Sequence, residues 1–394
     1  MRRLALLLLL AAAALTWPIS GSAASPPAVK AKAVVVADAS GTVLYELHAD
    51  QRLAMASITK IMTALVVLEE SSPGEEVVVS ARAAHARASE LGLVVGERIS
   101  VRQLLYALLM QSSNDAAVAL AEHVGGSVPG FVELMNRQAG RLGLRRTTFQ
   151  DPAGLEDRGF STAKDVAAIA RAAYSEPLFA RITRTKFHRI PAPSGKVRRI
   201  QNRNILLWLY PGAIGAKTGF TTPARHCLVA AADHGGVRLV AVALGSGGDN
   251  AGGVFDDGAA LLNFGFDAFQ RVSLAAPGQS FGRVTVGGQR IDAVAARELV
   301  RFVRTDQLPM LFRAFVPDTG LSLPVVAGQR VGEVLVVIAG KRVGTVEAVA
   351  SRTVFRPPPS PTPSSGPGAL RTGTVAAALR LLAAIFKTLF DAFL

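Results

Sequence analysis

Cysteine is almost absent. The single Cys227 excludes an internal disulfide and any multi-cysteine metal site. Set among small apolar residues, it reads as a buried strand position. The six histidines, His48, His85, His123, His188, His226 and His234, are scattered, with no His-Glu-x-x-His spacing. No metal site is expected from them, and they read as structural or surface residues. There is no zinc-finger spacing and no basic-aromatic recognition motif, so nucleic acid is not an expected partner despite a formal net charge of +14. Acid is missing locally as well. From 177 to 232 there is no Asp or Glu against ten Lys or Arg. Such a stretch sets up a field that attracts anionic ligands, with a merely solvated basic face as the alternative. No internal repeat is present. The apolar run from Leu4 to Leu15 is short for a membrane-spanning helix.

That run follows Arg2 and Arg3 and precedes the small residues Ser20 to Ala24. Charged start, apolar core and small-residue end make 1–24 a signal peptide, with a retained signal anchor as the alternative. The mature protein is expected to work outside the cytoplasm.

The remaining chain falls into parts. Over 28–270, strand patterns at Ala33–Asp38 and Thr42–Glu46 open the region, helical runs fill its middle, and extended segments recur from Thr185 to Leu244 before a helix over Gly258–Phe269. Strands at both ends of a helical middle predict one antiparallel sheet with helices packed on it, an α+β fold. Short strands and Gly-rich turns over 271–356 predict a small all-β domain. Residues 357–368 are Pro-rich and read as a semi-rigid linker. In 369–394, Leu379, Leu382, Phe386, Leu389 and Phe393 share one helical face, with Arg380, Lys387 and Asp391 on another. An isolated helix of that kind suits a membrane interface; docking on the body or on a second copy is the alternative.

Chemistry gathers in three short motifs. Ser57 and Lys60 stand three apart at the start of an apolar helical run, so an amine can reach a hydroxyl. Ser112-Ser113-Asn114 lies in a tight loop between two helices, and Lys217-Thr218-Gly219 lies on a late strand. No Gly-x-Ser-x-Gly elbow surrounds Ser57.

In this order, on helix, loop and strand, the motifs resemble those of low-molecular-weight penicillin-binding proteins, the serine-type D-alanyl-D-alanine carboxypeptidases. The likeness runs from about Ala33 to the C-terminus. It includes Asp151-Pro152-Ala153-Gly154-Leu155, the run Phe160 to Asp165, and Asn202-Arg203-Asn204-Ile205-Leu206. The resemblance implies a serine β-lactamase/transpeptidase-like catalytic domain of α+β class, the small all-β domain and the C-terminal amphipathic helix. It implies removal of the terminal D-Ala from peptidoglycan stem peptides through an acyl-enzyme on Ser57, inhibition by β-lactams, and no cofactor. Lys60 would be the base, its pKa depressed by burial and by a nearby cation such as Lys217. Ser112 would relay a proton to the leaving amine. Asn114 would hold the substrate amide, and Lys217 with Thr218 its terminal carboxylate. Backbone N–H groups of Ser57 and Phe220, beside Gly219, would form the oxyanion hole. The resemblance places the protein on the outer face of the cytoplasmic membrane.

The sequence departs from the family pattern at two places. Gly245 to Leu262 holds no Lys or Arg where relatives carry a carboxylate-binding cation, and Arg225 is the possible substitute, a solvated strand residue being the alternative. Met55 stands where relatives often have proline, with no expected effect on the chemistry. Two other functions stay open on sequence alone. A β-lactamase would need a deacylating carboxylate, for which Glu176 is the only loose match; a non-catalytic penicillin-binding sensor or scaffold would show a broken motif, and all three are intact.

Overall fold

The strands follow from runs of β-branched and small apolar residues. β1 (Ala33–Asp38) and β2 (Val43–Leu47) open the chain. Two short hairpins follow, β3 (Glu76–Val78) with β4 (Arg98–Ser100) and β5 (Phe187–Pro191) with β6 (Val197–Gln201). β7 (Ala213–Thr221), β8 (Arg225–His234) and β9 (Val237–Ser246) then complete an antiparallel five-stranded sheet in the order β2-β1-β9-β8-β7. This computed structural model describes residues 25–156, 158–247 and 252–356. The expected signal peptide (1–24), linker (357–368) and tail helix (369–394) lie outside the described residues.

Both faces of the sheet are covered. Alternation sends Val35, Val229, Ala231 and Val242 to one core and Val34, Leu228, Ala230 and Ala241 to the other. That is why the central strands read as unbroken apolar runs and not as an apolar-polar alternation. The first core is closed by helices including Lys60–Glu70, Asn114–Gly125 and Ala163–Ala173, the second by the helix Gly252–Ala268. From Lys60 to Val67 every residue of its helix is buried. A helix apolar all round belongs inside a core, and it fixes the position of whatever stands at its first turn.

Capping follows the sequence. Thr162 Oγ1 accepts the Asp165 N–H at 3.1 Å and starts the helix Ala163–Ala173. Two features depart from expectation. The last helix of this region begins at Gly252, not Gly258, and two short helices not expected from the sequence, Pro177–Thr183 and Leu206–Leu209, stand before and between the extended segments. Pro177 supplies a pre-set φ and lacks an N–H that the first turn would leave unused. Asn204 Oδ1 accepts the Leu206 N–H at 3.2 Å and opens the other turn.

The segment beyond is built of strands, with one 3-10 turn at Thr305–Met310. β10 (Phe269–Ala275) pairs with β13 (Leu299–Arg304). β11 (Ser280–Val286), β12 (Gln289–Ala295), β14 (Leu311–Pro317), β15 (Arg330–Ile338) and β16 (Lys341–Ala350) form a sheet in the order β11-β12-β16-β15-β14. Its own core gathers Leu274, Ile291, Val334, Val336 and Val346. The class is α+β. Among the described residues no helix is long and apolar enough to cross a membrane.

Candidate active site

Ser57 sits in a 3-10 turn, Ala56–Thr59, that runs directly into the helix starting at Lys60. In a 3-10 turn residues i and i+3 eclipse, so Lys60 stands over Ser57 more closely than an α-helix would bring it. Lys60 Nζ lies 2.9 Å from Ser57 Oγ, 2.8 Å from Asn114 Oδ1 and 2.8 Å from the carbonyl of Ala153. The amine is fully buried. Burial lowers its pKa to about 7; Arg203 pushes in the same direction, while Asp151 and Asp115 oppose it.

The three partners decide what that amine can do. A carbonyl and an amide oxygen can only accept, so the two hydrogens of a neutral amine go to Ala153 and Asn114. The lone pair is left facing the Ser57 hydroxyl, which can donate its proton.

Several loops hold this arrangement. The Asp151 carboxylate accepts N–H bonds from Ala153 and Gly154, both at 2.6 Å, and from Leu155 and Glu156 at 3.0 and 2.7 Å, so the turn presents the Ala153 carbonyl to Lys60. Gly154, at φ +79°, packs against the Ala56 carbonyl so closely that a Cβ there would overlap it. Asn114 Nδ2 donates to the Arg87 carbonyl at 2.7 Å, fixing which end of the amide faces Lys60. Asp115 accepts from the backbone N–H groups of Leu91, Gly92 and Leu93.

Ser112 ends a π-helical turn, Ala107–Gln111, in the left-handed conformation at φ +66°. Ala56 at φ +47° and Ala88 at φ +77° share that region, and Ala88 also lines the cleft. Non-glycine residues held there cost on the order of 1–3 kcal/mol each and gather where function holds them. Ser112 and Ser57 line one cleft of ≈ 440 Å³, together with Thr218, Gly219 and Phe220 of β7. Gly219 lets the strand pass close: a Cβ on it would lie 3.0 Å from the Ser57 nitrogen and 3.2 Å from that of Ile58. As an early residue of a helical turn, Ser57 keeps an N–H with no intrahelical acceptor.

The sequence-predicted residues therefore come together: Ser57, Lys60 and Asn114 through hydrogen bonds, and Ser112, Thr218, Gly219 and Phe220 through the cleft wall. Lys217 is buried beside them on β7, its Nζ donating to the Thr218 carbonyl at 2.8 Å. Burial, then Lys60 and Arg203, lower its pKa well below the ordinary lysine value. Some expected contacts are absent. Among the described residues the Ser112 hydroxyl makes no hydrogen bond to Lys60. Arg225 is exposed at the tip of the β7–β8 hairpin, at φ +57°, and is not part of the cleft wall. Among the described residues the cation on the cleft wall is Arg203, which also acts on both lysines. Its run Asn202-Arg203-Asn204 was visible in the sequence, yet nothing local marked the arginine as a cleft residue. The bond from its N–H to the Met110 carbonyl, 3.0 Å, draws it to the Ser112 loop. Glu176 is absent from the cleft wall; it precedes the helix Pro177–Thr183 without a side-chain capping bond and lies near Glu69. Cys227 lies buried on β8 opposite Gly219, its thiol pKa pushed up to about 11 by burial.

A family model described as D-alanyl-D-alanine carboxypeptidase matches residues 20–248. The D-alanyl-D-alanine carboxypeptidase DacC of Escherichia coli is 35% identical over 330 residues, 78% of this chain and 80% of that protein. DacF of Bacillus subtilis is 31% identical over 310 residues, covering 76% and 79%. Among solved structures, penicillin binding protein 5 from Haemophilus influenzae matches with a TM-score of 0.69 and 28% identity over 84% of this chain and 99% of that one.

Proposed function

This chain belongs to the D-alanyl-D-alanine carboxypeptidase family, and from that premise we propose that Ser57 is its nucleophile and Lys60 its general base. It is a serine-type carboxypeptidase of the penicillin-binding class, acting on the cell wall.

The residues take the following parts. Neutral Lys60 accepts the Ser57 proton as Oγ attacks the carbonyl of the D-Ala-D-Ala bond. The tetrahedral oxyanion meets the N–H groups of Ser57 and Phe220, an arrangement that Gly219 favours by letting β7 pass so near. The proton moves from Lys60, by way of Ser112, to the leaving nitrogen, and D-Ala departs. Water then adds to the acyl ester and gives a proton to Lys60, which returns it to Ser57 Oγ as the acyl C–O bond breaks, freeing the serine and restoring the neutral amine. Asn114, already oriented by Arg87 and Lys60, borders the substrate amide, and Thr218 with Lys217 borders the terminal carboxylate. A carboxylate arriving there supplies the counter-charge that buried Lys217 lacks, so binding and protonation of Lys217 reinforce each other.

The observation that carries this reading is the buried Lys60 amine, 2.9 Å from Ser57 Oγ and 2.8 Å from each of two carbonyl oxygens able to take its hydrogens. The test is D-Ala release from a soluble pentapeptide ending in D-Ala-D-Ala, run beside labelling with a fluorescent penicillin. Ser57→Ala is expected to abolish both, a loss on the order of a millionfold in turnover. Labelling that survives would place the nucleophile elsewhere. A long-lived penicillin adduct separates this reading from a β-lactamase, consistent with a cleft wall that contains no carboxylate among the described residues.

The organisation of the chain completes the proposal. Residues 1–24 direct export, 28–270 carry the chemistry, 271–356 form a separate β domain, and 369–394 hold the protein at the outer face of the cytoplasmic membrane beyond the linker 357–368. Truncation after Gly368 is expected to release the protein from membranes.

A further inference from the structure

The β5–β6 ribbon has two different faces. Its inward face is fully engaged. Ile190 and Ile200 are buried, His188 stacks on Tyr106 with ring centroids 3.6 Å apart, and Arg198 pairs with buried Glu97 at 2.7 Å. Its outward face, Phe187, Arg189, Pro191, Val197, Arg199 and Gln201, is exposed throughout. The register places Arg189 directly opposite Arg199. Like charges in that position destabilise a strand pair. Among the described residues neither guanidinium has an ion pair or hydrogen bond, and the acid-free stretch around them offers none.

An aromatic platform adjoins the arginines. Phe187, 63% exposed, meets Trp208 edge-on at 5.8 Å, and Lys186 Nζ stands 5.6 Å above the Trp208 ring. Flat apolar rings beside unpaired guanidiniums match a ligand that alternates sugar rings with carboxylates. The ribbon also leads to the cleft. Gln201 ends β6 two residues before Arg203, and Asn202 between them is fixed by bonds to the carbonyls of Thr183 and Thr185 at 3.1 and 3.0 Å.

We propose that the outward face of the β5–β6 ribbon is an exosite for polymeric substrate. It would hold the glycan strand and the carboxylates of neighbouring stem peptides while one stem terminus occupies the Ser57 cleft. The inference rests on the carboxypeptidase reading of that cleft. A small peptide is too short to use the exosite, so polymer and peptide should respond differently to changes in the ribbon.

The experiment uses the full chain with Arg189→Glu and Arg199→Glu together, and separately with Phe187→Ser. Substrates are insoluble peptidoglycan stripped of phosphate polymers, and a soluble pentapeptide; penicillin acylation reports the fold and the cleft. D-Ala release from stripped peptidoglycan is expected to fall roughly tenfold in the double variant, with the wild-type rate on polymer weakening as salt rises. Peptide hydrolysis and penicillin acylation should stay within about twofold of wild type. An unchanged rate on polymer overturns the exosite, as does an equal fall on both substrates. Binding that needs the phosphate polymer, or anionic vesicles in place of peptidoglycan, also overturns it. If wild type releases no D-Ala from the soluble peptide, the cleft reading fails on its own. Co-sedimentation of wild type and variant with stripped peptidoglycan then decides the ribbon, and equal sedimentation counts against it.

Discussion

The chain up to Asp257 and the strands after Phe269 solve the burial problem in opposite ways. Every polar or charged residue buried as a whole among the described residues lies between Asp38 and Asp257, Lys60 and Lys217 included. The later strands close over Leu274, Ile291, Val334 and Val346, and no polar residue there is buried as a whole among the described residues, although the Thr345 hydroxyl is itself buried without a partner. Their ion pairs, such as Arg283 with Asp292 at 2.7 Å, sit on the surface, where such pairs contribute little. Backbone strain divides in the same way. Among the described residues, five non-glycine residues with positive φ precede residue 258, and only Ala339, in a hairpin turn, follows it. Two buried amines and three strained residues around one cleft oppose folding, and the packed apolar cores offset them. The β segment carries no such load, so its side chains can be chosen for packing alone.

The sharpest way to break this contrast is to remove the base. Lys60→Met is expected to cut penicillin acylation by about two to four orders of magnitude. In wild type, acylation should rise with pH through about 7, because only the neutral amine can accept the Ser57 proton, and should be lost below it. Acylation rates measured from pH 5 to 9 check both points. A flat profile would show that Lys60 is not the titrating base.

A core truncation in the β segment probes the other side. Ile291 is fully buried. Ile291→Ala leaves a cavity in a core without polar groups and should cost about 2–4 kcal/mol in the unfolding of that segment. Acylation at Ser57 should hold its wild-type rate at temperatures where both parts stay folded. Denaturant unfolding paired with labelling tests this; a slowed acylation would mean the β segment supports the cleft after all.

Much of this was legible in the chain. The strands announced themselves by apolar runs, and Ser57 with Lys60 by a spacing that a helical turn brings together. Other features needed the third dimension. Arg203 is one cation among ten in its stretch, and it becomes a cleft residue only because β6 ends there and its N–H reaches Met110. Arg225 had the spacing for a clamp along a strand, but the hairpin turns it outward in a left-handed conformation. Asn114 is expected from the sequence to hold the substrate amide; its bonds to Lys60 and the Arg87 carbonyl, 54 and 27 residues distant, are seen only in the structure. Pairings over such separations leave no periodic trace. The choice of Lys217 as the cation that acts on Lys60 beside burial also changes. Burial acts first on both, and Arg203 is the cation that acts on both.

The smallest expected effect tests that last point. Because burial lowers Lys60 and Lys217, the folded chain binds fewer protons than the unfolded chain from about pH 7, where Lys60 titrates, up to the ordinary lysine value of 10.5. Stability should therefore increase with pH across that window, by up to about 1.4 kcal/mol per pH unit for each lysine. Lys217→Met keeps the buried stem and removes the cation. It should raise stability near pH 7 by about 1–2 kcal/mol, flatten the increase toward pH 10, and weaken substrate carboxylate binding. The β segment, with no buried ionisable group among the described residues, should add nothing to the slope. Denaturant midpoints at pH 7, 8.5 and 10 give the answer. If Lys217→Met destabilises the fold and leaves the slope unchanged, then Lys217 is charged and satisfied in the folded protein. The cleft would then be ready for a carboxylate before any substrate arrives, and the contrast between the two regions would narrow to Lys60 alone.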